Sequence, residues 1–173
     1  MASYPTAAFA PSVRSAGQTI QPGHINDLQD EVAALTTALL KSETTFSPTL
    51  SGTGGASGQA YGAQVGLYTK VGTRCDFDIR ITVNTVGTVT GTAIVANLPF
   101  TADGTSGYVA SVRVGYWEGM ATAFYDISGY ISAGTNYITL TGITAAAITK
   151  AALAQANFAD GFTLFVSGNY KTA

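Results

Sequence analysis

Two hydrophobic periods divide the chain. The apolar positions Ile25, Leu28, Val32, Leu35 and Leu39 recur at 3-4-3-4 spacing, laying one stripe along a helix with little else to bury. A lone helix cannot keep such a stripe in water, so the spacing predicts packing against copies of itself or a partner. The stripe covers two heptads, about 22 Å at 1.5 Å per residue, which is too short to hold a coiled coil alone. Pro22 suits a first helical turn, while Asp27, Asp30 and Glu31 complement one pole of the helix dipole and Lys41 the other. These signals place a coiled-coil segment at residues 21–45, with its helix over 21–41.

From residue 46 onward the period falls to 2. The clearest strand is Cys75 to Val86, where Phe77, Ile79, Ile81 and Val83 alternate with Asp76, Asp78, Arg80, Thr82 and Asn84. Further strands are predicted at Gln64–Val71, Thr92–Ala96, Tyr108–Tyr116, Met120–Ile127, Asn136–Thr141 and Phe162–Val166. Turn chemistry bounds them, as at Val71-Gly72-Thr73, Trp117-Glu118-Gly119 and Ala159-Asp160-Gly161. Many short strands with turns between them predict a mainly β chain ending in a jelly-roll-like β-sandwich over residues 62–173. Thr144 to Asn157 reads as a short helix or a connection between sheets. Residues 46–61, which hold the Gly/Ser-rich run Ser51 to Gly58, read as a flexible linker. Residues 1–20, with Tyr4-Pro5, Phe9 and Ala10-Pro11, read as an extended attachment arm without a core of its own, anchored through Tyr4 and Phe9.

Composition sharpens this picture. Of 173 residues only 10% are charged, the net charge is -2, and the eight Lys and Arg form no basic stripe. That excludes a phosphate-neutralising nucleic-acid surface. So little charge predicts that much of the surface is shared with other subunits. No apolar stretch is long enough for a membrane span, and the N-terminus lacks the features of a signal peptide. The protein is therefore expected to be made in a cytosol-like compartment.

Candidate chemistry is sparse. Cys75 is the single cysteine and reads as a small, half-buried structural residue. The only histidine, His24, lies in the helix, in another region from Cys75 and nearly all candidate serines, so nucleophilic catalysis has no base. It reads as a solvated or capping residue rather than a ligand. Asp76 and Asp78 share a strand face and read as solvated carboxylates rather than a glycosidase pair or calcium site. The expectation is a protein that is not an enzyme and that carries no metal or cofactor. Tyr108, Tyr116, Trp117, Tyr125, Tyr130 and Tyr137 allow sugar stacking. Of these only Trp117, in an expected tight turn, is placed as a ligand contact at a loop tip.

The segments Ala16 to Gln21 and His24 to Val32, following Tyr4-Pro5-Thr6, resemble the opening of tailed-bacteriophage fibre and minor structural proteins. Gln64 to Gly72, Gly91 to Phe100, and Phe162 to Val166 leading into Ser167 to Lys171 are similar to their terminal knobs. The resemblance implies a homotrimeric virion-surface protein, made in the bacterial cytoplasm, with an arm, a short coiled coil seamed by Ile25, Leu28, Val32, Leu35 and Leu39, and a β-rich knob. Its partners would be itself, a capsid or other virion protein through residues 1–41, and a host surface glycan if the knob recognises one. Shortness, the arm and low charge favour a capsid decoration or head-fibre protein. The alternative is a short tail-fibre or receptor-binding protein.

Overall fold

The computed structural model describes residues 22–39, 43–144 and 149–173, in two compact units, Met1–Ser42 and Glu43–Ala173. In the first unit, helix α1 runs Pro22–Leu39, starting at the proline as expected. Leu28, Val32 and Leu35 are 63%, 55% and 45% exposed, so these three positions of the stripe are open to solvent. The backbone of Ile25 and Leu39 belongs to the same helix. The arm, with Tyr4 and Phe9, lies outside the described residues.

The second unit is mainly β. Its strands are β1 (Thr44–Phe46), β2 (Thr49–Gly52), β3 (Ala56–Ser57), β4 (Ala60–Val71), β5 (Arg74–Thr85), β6 (Thr88–Val89), β7 (Ala93–Ala96), β8 (Val109–Met120), β9 (Asp126–Ser132), β10 (Ile138–Ile143), β11 (Ala151–Ala152) and β12 (Phe158–Lys171). Ten form one antiparallel sheet in the order β1-β4-β5-β12-β8-β9-β10-β7-β2, with β11 beside β10, and β3 pairs β6 separately. The sheet curls until its ends face each other. The Tyr61 hydroxyl of β4 accepts from the Leu50 amide of β2 at 3.0 Å and donates to the Leu50 carbonyl at 3.2 Å. Gln64 Nε2 likewise donates to Pro48 O at 3.2 Å. Where a jelly-roll-like sandwich of two sheets was expected, one continuous path of pairings bends round a single core.

Alternation builds that core. On β5, Cys75, Phe77, Ile79, Ile81 and Val83 turn inward. From β12 come Phe162, Leu164, Val166 and Tyr170, and from β8 Ala110, Val112 and Val114. Each such side chain removed from water contributes roughly 1.5–3 kcal/mol. The Cys75 thiol is fully buried, and that burial pushes its pKa up, in keeping with a structural role.

Several local expectations are corrected. Residues 46–61 are no flexible linker: they supply β2, β3 and the start of β4, and Leu50 is 2% exposed. Gly52 is small for close packing rather than flexibility, since a Cβ there would stand 2.1 Å from the Thr90 carbonyl oxygen. Trp117-Glu118-Gly119 is not a turn but the continuation of β8, and the strand expected at Met120–Ile127 is instead β9 at Asp126–Ser132. Ala159-Asp160-Gly161 lies inside β12 as an irregularity of its pairing with β8. Within Thr144–Asn157 the described residues form β11 and a 3-10 turn at Gln155–Asn157.

Candidate recognition surface

Register fixes a platform on the outer face of β4-β5-β12-β8. One cross-strand row reads Val65–Arg80–Phe165–Tyr116, each residue the direct partner of the next. The adjoining row reads Leu67–Asp78–Ser167–Arg113, and the next Thr69–Asp76–Asn169. Side chains on a strand share a face at every second residue, so these rows are parallel and about 7 Å apart.

The first row is both apolar and polar. Phe165 is 40% and Tyr116 42% exposed, with ring centroids 5.0 Å apart at 35°. The Arg80 guanidinium carbon lies 5.6 Å from the Phe165 ring centre, a cation–π approach. Tyr116 Oη donates to Glu118 Oε2 at 2.6 Å, and this carboxylate acceptor raises the phenol pKa. Among the described residues neither Arg80 nor Arg113 has a carboxylate partner, whereas Arg74–Asp76, Lys150–Asp126 and Lys171–Asp103 are ion pairs.

Two shallow depressions lie between the rows. The first, of about 310 Å³, is bordered by Val65, Leu67, Asp78, Arg80, Gly115 and Phe165. The second, of about 360 Å³, shares Leu67, Asp78 and Ser167 and adds Glu43, Asp76 and Asn169. Both volumes fall near the lower end for small-ligand sites.

A β-bulge borders the first depression. Val166 pairs Val114 while Phe165 pairs Tyr116, so Gly115 is the extra residue on β8. The bulge reverses the strand's phase: Val114 points inward, Tyr116 outward, and Trp117 inward opposite Leu164. Trp117 is therefore half-buried against the core instead of standing at an exposed loop tip.

Asp76 and Asp78 do share the wet face, as expected, with Asp76 ion-paired to Arg74 at 3.4 Å. No group of three or more His, Cys, Asp or Glu is gathered as a metal site among the described residues. Of the aromatic set, Tyr116, Tyr125 and Tyr130 are exposed, and Tyr108 accepts from the Lys171 amide at 2.6 Å. Sequence reasoning missed Val65, Arg80 and Phe165. The signal was present in Leu164-Phe165-Val166, where a phenylalanine interrupts an otherwise polar outer set of Thr163, Ser167 and Asn169.

No protein-family model matches the sequence. No curated protein matches it either. Among solved structures the chain is similar to the Dettilon tailspike protein, with a TM-score of 0.61 at 13% identity over 76% of this chain and 24% of that one. The likeness shows a shared fold, and the chain spans about a quarter of that tailspike's length.

Proposed function

We propose that this chain is a bacteriophage tail-fibre-like protein of the virion that recognises a host surface glycan through the outer face of β4-β5-β12-β8 and catalyses no reaction. The carrying observation is the Val65–Arg80–Phe165–Tyr116 row beside its depression. Sugars present apolar C–H faces that pack on aromatic rings and hydroxyls that bond to Asp, Arg and Ser, and this platform offers both kinds of group.

The fold shared with a tailspike supports a tail role over the capsid-decoration reading. Residues 1–41 serve as the attachment and trimer-forming segment in this reading. Among the described residues no helix is long and apolar enough to cross a membrane.

Binding of the full chain to an array of purified bacterial surface polysaccharides, alongside adsorption to host cells, tests the reading. Phe165→Ala and Arg80→Ala are each expected to weaken binding about tenfold, equivalent to about 1.4 kcal/mol, without lowering the melting temperature. Wild-type protein that binds neither polysaccharides nor cells overturns it.

A further inference from the structure

We propose that the two depressions are adjoining subsites for consecutive rings of a neutral oligosaccharide, the first bordered by the Gly115 bulge. The inference rests on the recognition reading above and adds the charge and minimum length of the ligand.

Length follows from the shared wall. Leu67, Asp78 and Ser167 border both depressions and form one cross-strand row, so the two spaces sit on either side of a single row. Each is small enough for one ring, and a two-ring ligand reaches both across a low divider. A single sugar fills only half of the surface and leaves the other wall hydrated.

Charge follows from the lining. In the first depression the charged groups are Asp78 and Arg80, which balance. In the second, Glu43, Asp76 and Asp78 line the space; Asp76 is paired with Arg74 and Asp78 is the carboxylate already set against Arg80, so Glu43 tips the balance to negative. A carboxylated or phosphorylated sugar there meets a net like charge and binds more weakly than its neutral counterpart. Hydroxyl groups, by contrast, donate to these carboxylates and to Ser167 and Asn169, while Arg80 donates in return. Val65, Leu67 and Phe165 supply the apolar contact for a ring face.

Access follows from Gly115. A Cβ built there meets nothing within 4 Å, and its φ is not among the left-handed values. A larger side chain at this position is therefore accommodated by the backbone and projects into open space at the margin of the first depression.

The test measures binding of the full chain to neutral glycans of one, two and four rings and to a four-ring hexuronate, by calorimetry. A neutral disaccharide is expected to bind at least about tenfold tighter than its monosaccharide, with little dependence on added salt. Gly115→Leu is expected to lose about tenfold for every neutral ligand with an unchanged thermal melt. Asn169→Ala is expected to reduce the gain from the second ring. Tighter binding of the hexuronate, or equal affinity for one and two rings, overturns the inference and leaves glycan recognition standing. Failure of all saccharides, charged or neutral, overturns the recognition reading as well.

Discussion

At the scale of single residues, Tyr116 and Trp117 show how one inserted glycine assigns roles. Had β8 kept the phase of Ala110, Val112 and Val114, Tyr116 would fill the core and Trp117 would face water. The bulge at Gly115 exchanges them, giving Trp117 to the packing opposite Leu164 and Tyr116 to the platform beside Phe165. Trp117→Ala should therefore cost about 2–3 kcal/mol of stability, less than a fully buried Trp because the ring is only half-buried. Urea unfolding measures this, and saccharide affinity should be unchanged; a loss of affinity without a loss of stability would return Trp117 to the ligand site. Tyr61 and Tyr170 act as polar ties at core margins. The hydroxyl of Tyr170 accepts from the Phe100 amide at 3.1 Å and donates to its carbonyl at 2.9 Å. Burial pushes the pKa of each phenol up, so both remain neutral donors across the ordinary pH range.

At the scale of elements, the end of β12 is fastened to the segment after β7. Lys171 Nζ meets Asp103 Oδ2, the Asp103 amide donates to the Lys171 carbonyl at 2.8 Å, and Thr172 bridges Ala102. Hydrogen bonds from Lys171 and Thr105 hold the Asp103 carboxyl well below its usual range. A depressed folded pKa gives stability that is complete above the unfolded value of about 3.9 and is lost as pH falls toward the folded one. Acid titration of thermal stability should accordingly show a descent below about pH 4 that Asp103→Asn flattens; identical acid limbs would remove the role assigned to this pair. β5 was legible from its residues because its alternation keeps one phase throughout. β8 was legible only as far as Tyr116, because its bulge is fixed by β12, a partner far along the chain that no local window contains. The Ser51 to Gly58 run was misread for a related reason: composition reports flexibility, whereas Gly52 reports the nearby backbone of Thr90. Of the candidate surface, the carboxylates were visible and the arginine–phenylalanine contact was not, since it needs the β5–β12 register.

At the scale of the whole molecule, charge is unevenly spread over the curled sheet. The platform carries Asp76, Asp78, Arg80, Arg113 and Glu118, whereas the row Ser51–Ile94–Thr139–Tyr130–Ser111 across β2, β7, β10, β9 and β8 carries none. In the other unit, Leu28, Val32 and Leu35 expose apolar surface that self-association would cover. If α1 is a seam between copies, Leu35→Asp should weaken self-association at neutral pH, with partial recovery near about pH 4 as the carboxyls are protonated, while Thr37→Asp should change little. Crosslinking across that range checks it, and undiminished association of Leu35→Asp at neutral pH would show that α1 is no seam between subunits. The central place of β12 bears on the order of synthesis. Among the described residues it is the strand whose ladders join β4–β5 directly to β8–β9–β10. During translation both hairpin groups precede residues 158–171, and until those residues are made β5 and β8 each lack the ladder partner they have in the folded sheet. Those two unpaired edges are templates for neighbouring copies, so a chain truncated before β12 is expected to aggregate rather than form a smaller version of the same domain.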